Sequence, residues 1–346
     1  MKKFIAFLAL ALWLVASPAT AKKKNQTYAV GFYNLENLFD IFHDEGKNDY
    51  EFLPDGTNKW TELKYNHKLK NMSRVLSEMG TDMLPLVGCA FIGVSEVENA
   101  RCLTDLCNQP ALKERNFKFC HVEGPDRRGV DCALLYNPKL YQVRNVKLVP
   151  YVPDKQDRNF ATRGFLTVSG TLGGEHVSVI VCHWPSRASD SSYRERAGWQ
   201  VRAVKDSLLR DDPDVKVFVM GDMNDDPVDR SMTVGLGCKA EIKDVGPNDM
   251  YNPWYNVLVK KQTGTLLYEG KWNLFDQIVM TPNLLPKAGE KAKGTLKLRK
   301  YEIFRCAYLF QQEGKHKGKL LRTHAGGTWL DGYSDHLPTV VYLRKE

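Results

Sequence analysis

The chain has 346 residues, of which 43% are hydrophobic and 26% are charged, and its formal net charge is +8. A chain of this length can bury a sizeable core, and its mild charge is compatible with a phosphate-bearing substrate without requiring one. The sequence contains no repeat, low-complexity segment or linker, and beyond the N-terminus no apolar run is long enough for a membrane helix. We therefore expect one domain without stable membrane insertion.

The N-terminus has the pattern of a signal peptide. Two lysines at positions 2–3 precede an apolar segment at 4–15, and Ala-Thr-Ala at 19–21 is typical of a cleavage site. We expect cleavage after residue 21, a single mature domain over residues 22–346, and export to the periplasm or the outside of a bacterial cell. Export permits disulfides.

Apolar periodicity predicts the secondary structure. Helical spacing predicts three helices: one over residues 60–79, a second that ends at about residue 107, and a third over residues 192–209. Ser191 or Ser192 is expected to cap the start of the third helix. Residues 301–311 are compatible with a strand or a helix. Apolar or alternating runs predict strands at 27–33, 89–95, 117–122, 130–136, 143–151, 163–172, 176–182, 217–220, 266–268, 272–280 and 339–343. This mixture indicates a mixed sheet or two packed sheets with helices outside.

Polar side chains that can perform chemistry follow or precede five of the apolar runs. Ligands bind at such sheet edges in open α/β folds. A further acid, Asp276, lies inside an apolar run, where an unpaired carboxylate is costly and a histidine or metal partner is expected. Any one of these residues alone is more often part of a turn or of the packing, but their shared position favours a site. The strand-end residues are Asn34 and Glu36, Glu96, His183, Asp222 and Asn224, and Asp335 and His336.

This inventory favours a hard cation. Carboxylate and amide oxygens suit Mg²⁺, with Mn²⁺ or Ca²⁺ as alternatives. The eight cysteines are spread out with no zinc spacing, and most are expected to be buried free thiols, although Cys102 and Cys107 are close enough in sequence to pair. Mg²⁺ that keeps positions for water and phosphate oxygens is typical of phosphoryl transfer, and a histidine paired with a carboxylate can deprotonate water.

Seven segments, in order, resemble the endonuclease/exonuclease/phosphatase (DNase I-like) superfamily. Single segments such as GDxN and SDH are weak signals, but the ordered set spans nearly the whole mature chain. The resemblance implies a four-layer α/β/β/α sandwich with a site at one rim of two packed mixed sheets. The segments are YNLEN at 33–37, SEVEN at 95–99, RRGVDCALLY at 127–136, CHWPSR at 182–187, GDMNDDP at 221–227, WNLFDQIVM at 272–280 and SDHLPTV at 334–340.

The resemblance also implies residue roles. Glu96 is expected to be the principal metal ligand, helped by Asn34 and Asp335, with Glu36 as an outer contributor. His336, paired with Asp276, is expected to be the general base or a phosphate-side histidine. Asp222 and Asn224 are expected to orient the attacking water and the phosphate, and His183 to protonate the leaving group or stabilise the transition state. The acids at 225–226 are expected to belong to the turn.

Several cations lie near these segments. Arg163 and Arg187 are predicted to bind substrate phosphate, because a guanidinium matches phosphate oxygens, whereas Arg128 stays undecided between that role and a surface ion pair. The basic region 287–322 could follow a nucleic-acid backbone or be a solvated loop.

The sequence favours a metal-dependent phosphodiesterase, most simply a nuclease acting on a phosphoester such as nucleic acid. A phosphomonoesterase or a sphingomyelinase-like phospholipid phosphodiesterase is the alternative, and the aromatic segment 251–255 is a weak candidate for membrane contact. A non-catalytic exported binding protein on the same fold is a third hypothesis, against which the intact set of acids and histidines argues.

Overall fold

The computed structural model describes residues 26–286 and 294–345, so the predicted signal peptide and part of the basic region lie outside the described residues. The strands are β1 Gln26–Leu38, β2 Cys89–Val97, β3 Lys118–His121, β4 Asp131–Tyr136, β5 Tyr141–Val149, β6 Phe165–Leu172, β7 Glu175–His183, β8 Lys216–Asp222, β9 Cys238–Lys239, β10 Met250–Tyr251, β11 Leu266–Tyr268, β12 Lys271–Asn273, β13 Asp276–Met280, β14 Leu296–Ile303, β15 His324–Ala325, β16 Thr328–Trp329 and β17 Thr339–Lys345. The helices are α1 Glu62–Glu78, α2 Ala100–Cys107, α3 Pro110–Lys113, α4 Ser191–Asp211 and α5 Trp254–Lys261.

Two mixed sheets form within the described part of the chain. One has the strand order β14-β17-β1-β2-β4-β3, and the other has the order β5-β6-β7-β8-β13-β10-β9. Each contains a parallel pair at its centre, β1 with β2 and β7 with β8, and the second sheet has a further parallel pair, β9 with β10, at its edge. The central strands are buried along almost their whole length. Their continuous apolar runs are typical of strands that are covered on both faces.

The sheets pack face to face and helices cover their outer faces. Side chains such as Phe32 and Phe91 of one sheet meet Phe218 and Met220 of the other in a shared core. Gly93 allows this close approach, since a Cβ there would lie 2.7 Å from Met220 Sδ. Helices α1 to α3 bury one outer face and α4 the other. The predicted four-layer α/β/β/α sandwich is confirmed.

Two local predictions are wrong, the single strand over 272–280 and the serine cap of α4, and two alternatives that the sequence left open are decided. The predicted strand 272–280 is two strands, because β12 turns back on β11 whereas β13 pairs with β8. The ambiguous segment 301–311 contains the end of β14 and then a short helical turn. Helix α4 is capped by Asp190, whose carboxylate accepts from Ser192 N, not by a serine. Cys102 and Cys107 do not pair, and each is a free thiol.

The aromatic segment 251–255, the weak candidate for membrane contact, does not present the rings of Tyr251 and Trp254 to the surface. Trp254 is fully buried, and its Nε1 donates to the carbonyl oxygen of Ile278 in β13. Tyr251 is buried as well, so this aromatic segment belongs to the core. Among the described residues, none of the helices has both the length and the apolar character needed to cross a bilayer.

Candidate active site

Strand pairing brings the polar strand ends to one rim of the two sheets. In the second sheet His183 of β7 lies opposite Asp222 of β8, and Asp222 lies opposite Asp276 of β13. In the first sheet Asn34 of β1 and Glu96 of β2 lie near the carboxyl ends of two parallel strands. Because β1 also contacts β8 and β13, the two sets of side chains meet between the sheets.

Asp276 and His336 form a buried pair. Nδ1 of His336 lies 2.7 Å from Asp276 Oδ2, and the backbone of His336 donates to Ser334 Oγ at 3.1 Å. Burial by itself would lower the pKa of His336, but the carboxylates of Asp276 and Asp222 outweigh it and raise that pKa well above its usual value. Asp276 is wholly buried, so the histidine compensates for the loss of water around its carboxylate.

Asn34 lies between two carboxylates. Its Nδ2 donates to Asp222 Oδ2 at 2.9 Å and to Glu96 Oε1 at 3.2 Å, while its Oδ1 accepts from the backbone of Glu36 at 2.8 Å. The other oxygen of Glu96 accepts from the backbone of Asn37 at 3.0 Å. Burial raises the pKa of Asp222 to about 6. The amide thus fixes the relative positions of two acids from different sheets.

His183 faces the same two carboxylates. Its Nε2 lies 3.8 Å from Glu96 Oε1 and 3.7 Å from Asp222 Oδ2, which is too far for hydrogen bonds. Its Nδ1 is buried and has no hydrogen-bond partner within the described ranges. Burial, followed by the nearby cations Arg163 and Arg128, lowers the pKa of His183 well below its usual value. The two histidines of the site are therefore in opposite electrostatic environments.

At the rim, two groups of described side chains could hold a metal ion, and they share Asp222. One ligand atom from each of Glu96, His183 and Asp222 lies within 4.8 Å of the others, and the same holds for Asp222, Asp276 and His336. In the second group Asp276 and His336 are already hydrogen-bonded to each other. In the first group neither carboxylate is hydrogen-bonded to the histidine, so this group is the better fit to a hard divalent cation.

Several site residues have a left-handed backbone, which non-glycine residues adopt at a cost. The φ angles are 48° for Glu36, 58° for Asn37, 59° for Glu96 and 48° for Asn224. Each lies within two residues of the end of its strand, and the ladder between β1 and β2 is irregular between Asn34 and Leu38. Sequence periodicity carries no signal for this conformation.

The backbone of Asn224 provides a test. Nδ2 of the Asn224 side chain donates to the carbonyl oxygen of Trp184 at 3.0 Å, and the backbone N–H of Asn224 donates to Asp222 Oδ1 at 2.9 Å. We expect Asn224→Gly and Asn224→Ala to lose activity equally, but Asn224→Ala to be less stable by about 1 kcal/mol, because only glycine adopts this φ freely. Urea unfolding of both variants measures the difference, and equal stabilities would contradict it.

The family follows from the match of a sequence model. The model of the endonuclease/exonuclease/phosphatase family matches residues 29–345, from β1 to β17. The chain belongs to this family. The match includes every strand end that lies at the rim, in agreement with the resemblance of the seven segments. No curated protein sequence gives a significant match.

Solved structures with this fold are distant in sequence. An endonuclease/exonuclease/phosphatase family protein from Bacteroides thetaiotaomicron has 13% identity and a TM-score of 0.56, covering 93% of this chain and 96% of its own. A mannosyl-6-phosphatase from the same species has 14% identity and a TM-score of 0.54, covering 91% and 99%. A D. rerio TDP2 in complex with a single-stranded DNA product has 13% identity and a TM-score of 0.53, covering 92% and 98%.

In this member of the endonuclease/exonuclease/phosphatase family, a cation that the sequence analysis missed lies beside the site. Arg322 Nε donates to Glu36 Oε1 at 2.7 Å, and Arg322 Nη2 lies 2.9 Å from Asp335 Oδ2. The other oxygen of Glu36 accepts from Thr323 N at 2.8 Å. Both oxygens of Glu36 are therefore engaged by the chain, so its predicted contribution to a metal would require one of these bonds to break.

A buried lysine supports the same segment. Lys68 of α1 is only 2% exposed, and its Nζ donates at 2.6 Å to both Thr323 Oγ1 and the carbonyl oxygen of Tyr333. Burial lowers the pKa of Lys68 to about 8. Lys68 thus ties α1 to the segment that supplies Arg322 and Asp335. A lysine in the middle of a helical pattern gave no indication of this role.

The two arginines predicted to bind phosphate are engaged elsewhere. Arg163 is buried, and it donates to Asp126 Oδ2 at 3.0 Å and to the carbonyl oxygen of Trp184 at 2.9 Å. Arg187 is exposed and lies 3.2 Å from Asp226 Oδ2, with its guanidinium over the ring of Phe275. Arg163 therefore fixes the loop after β7, and a phosphate would have to compete with carboxylates for either arginine.

The acids after β8 do more than form a turn. Asp225 is buried, accepts from Arg194 Nε at 2.7 Å and accepts from Ser231 Oγ at 2.6 Å. Asp226 Oδ1 accepts from the backbone of Leu274 at 2.7 Å. These bonds attach the loop after β8 to α4 and to the start of β13. The two acids lie in the turn after β8, as predicted, and they also fix its position.

His324, next to this site, gives a pH-dependent prediction. Burial, together with Lys64, Lys68 and Arg322, lowers the pKa of His324 from 6.5 to about 4. Between pH 4 and pH 6.5, His324 is protonated in the unfolded chain but not in the folded chain. The free energy of unfolding therefore has its full value above pH 6.5 and decreases as the pH falls toward 4. We expect the melting temperature of His324→Phe to fall by about 1–2 °C less than that of the wild type between pH 7 and 5. An identical fall in both proteins would contradict this.

Proposed function

We propose that the chain hydrolyses a phosphodiester with a divalent metal ion, Mg²⁺ being the first choice and Mn²⁺ or Ca²⁺ the alternatives. The observation that carries the proposal is the convergence of Glu96, Asp222 and two histidines, one of them paired with a buried aspartate, at one rim. Membership of the family supports a phosphoester as the substrate.

The side chains at the rim fit such an ion. Glu96 would be its main ligand, and Asp335 and Asp222 offer further carboxylate oxygens on neighbouring segments. Asn34 as oriented presents its Nδ2 to Glu96 and Asp222, so it would position these acids, or turn its amide to offer Oδ1. When bound, the ion would neutralise phosphate charge and make a water more acidic.

The protein's own groups have separate parts in an in-line attack by water. Asp222, held by Asn34 and by the backbone of Asn224, accepts a proton of the water and orients it. His336 has its Nδ1 fixed by Asp276, so its Nε2 is left to bind a phosphoryl oxygen. The Nε2 of His183 faces the same space from β7. We therefore assign His336 to the phosphate side and not to the general base.

The electrostatic contribution is expected to dominate. The transition state spreads negative charge over the phosphoryl oxygens, and donors already aimed at that charge need no reorganisation. His336 between Asp276 and Asp222 is such a donor in a buried site. Removal of one donor of this kind typically costs about 10²–10³ in rate.

A substrate panel tests the proposal. Wild-type protein is assayed with Mg²⁺ and with EDTA on plasmid DNA, RNA, sphingomyelin, mannose 6-phosphate and bis-p-nitrophenyl phosphate. Metal-dependent cleavage of a diester is the expected result. Cleavage of mannose 6-phosphate alone would instead establish a phosphomonoesterase, in line with the mannosyl-6-phosphatase of the same fold. Failure on every ester with Mg²⁺, Mn²⁺ and Ca²⁺ would favour a binding protein.

We also propose that the protein is exported as one mature domain. The basic, apolar and small-residue segments of the first 21 residues support this. Mass spectrometry of protein from the periplasm and the medium of a bacterial host is expected to find an N-terminus at Lys22. Retention of the full chain in the cytoplasm would contradict export.

A further inference from the structure

A cavity of about 780 Å³ adjoins the candidate active site. Arg322 and Asp335 form part of its wall, and they are the residues that link this cavity to the catalytic centre. Leu266, at the base of the β11–β12 hairpin, forms a β-bridge with His336. A group attached to the reacting phosphate on this side would therefore extend directly into the cavity.

Two hairpins flank the cavity, and both are anchored at the rim. The β11–β12 hairpin turns at Glu269 and Gly270, whose φ angles are both positive, as a two-residue hairpin turn requires. Its base is held where Leu337 N donates to the carbonyl oxygen of Thr265 at 2.8 Å. The β15–β16 hairpin begins two residues after Arg322 and contributes Thr328 to the lining. The cavity therefore lies between two hairpins whose bases are held at the rim.

The walls are largely apolar. The ring of Tyr268 is 63% exposed at the β11–β12 hairpin, and Leu267 also lines the cavity. Leu320 and Leu330, which flank the β15–β16 hairpin in sequence, complete the apolar part of the lining. An exposed tyrosine ring and several apolar side chains around a cavity of this size suit a flat organic group.

The charges in the wall nearly balance. Lys319 and Arg322 supply two cations, and Glu269 and Asp335 supply two carboxylates. A groove that follows a polyanionic backbone would instead show an excess of cations along its length. The lining therefore selects against a second strong anion in this position.

We propose that this cavity is the specificity pocket of the enzyme and accepts an uncharged ring-containing group esterified to the reacting phosphate. The proposal rests on the proposed phosphoester hydrolysis and adds the class of the group beside the phosphate. Tyr268 contacts one face of the ring, and the ion pair of Arg322 with Asp335 forms the wall between the ring and the catalytic centre.

Inhibition by two phosphonates tests the pocket. Methylphosphonate and benzylphosphonate carry the same anionic head and differ only in the ring. Each is titrated against the substrate that the panel identifies, with Mg²⁺ present, and the inhibition constants are compared. For the wild type we expect benzylphosphonate to bind about tenfold more tightly, as partial burial of an aromatic ring would give.

Two variants test whether Tyr268 causes the preference for benzylphosphonate over methylphosphonate. Tyr268→Ala is expected to reduce the ratio of the two inhibition constants to about 2 or less, as expected when the ring loses its main contact. Trp199→Ala, which removes another half-exposed aromatic ring on α4, is expected to leave the ratio unchanged. Benzylphosphonate that inhibits wild type no better than methylphosphonate, or a ratio unaffected by Tyr268→Ala, would overturn the proposal. Absence of turnover on every ester would instead overturn the proposed function.

Discussion

Glu96→Gln is expected to lower kcat/KM by about 10³ or more while leaving the fold intact, because it removes the charge of the principal proposed ligand and keeps its shape. The amide oxygen can still accept one of the two hydrogen bonds that now come from Asn34 Nδ2 and Asn37 N, so the variant keeps the shape of the side chain and loses one bond. A second readout is binding of the metal. Mg²⁺ is expected to raise the melting temperature of the wild type, since a ligand of the folded state stabilises it, and to raise that of Glu96→Gln much less.

The control for this variant is Glu313→Gln, which changes the same side chain at an exposed position. It is expected to match the wild type in rate and in stabilisation by Mg²⁺. A Glu96→Gln protein that retains both properties would remove Glu96 from the metal site. A protein that keeps the stabilisation by Mg²⁺ but loses turnover would assign the metal to other carboxylates, such as Asp222 and Asp335.

Asp276→Asn is expected to lower kcat by about 10²–10⁴, comparable to the loss of a positioned acid–base partner. The amide can present its NH₂ to Nδ1 of His336, which reverses the hydrogen bond now measured at 2.7 Å and changes the tautomer of the ring. With Nδ1 accepting, the ring would be neutral and would carry its proton on Nε2, so it would lose the positive charge toward the phosphate that the carboxylate of Asp276 stabilises. Steady-state kinetics should show the loss mainly in kcat and little in KM.

A second histidine–aspartate pair offers a matched control. His176 Nδ1 lies 2.6 Å from Asp212 Oδ2 on the exposed surface, a geometry close to that of the buried pair. Asp212→Asn is expected to retain wild-type kinetics. If Asp276→Asn keeps its kcat, or loses activity only through unfolding seen by circular dichroism, the role proposed for His336 fails.

Much of the fold could be predicted because its strands are apolar along their whole length. The runs at 89–95 and 217–220 are buried on both faces in β2 and β8, and a run of this kind has only one interpretation once its length excludes a helix. The segment 301–311 is the contrasting case. There the alternation is weak, and pairing with β17 decides where β14 ends.

The centre of the candidate site was predictable for a related reason. Asn34, Glu96 and Asp222 each follow a strand run directly, so the sheet itself brings them together. Arg322 and Lys68 lie in segments whose position depends on contacts made far along the chain, from α1 to the loop before β17. Glu36 was predicted from its motif, but only the tertiary structure shows that its carboxylate holds Arg322 and Thr323.

The left-handed residues at the rim have a consequence for how this protein can change over time. Glu96 and Asn224 hold backbone conformations that favour glycine, and they do so while directing polar groups into a crowded, acidic space. A lineage released from the need for turnover could gain stability at once by exchanging them for glycine. Selection for turnover would therefore have to retain these residues, although glycine at the same positions would give a more stable protein.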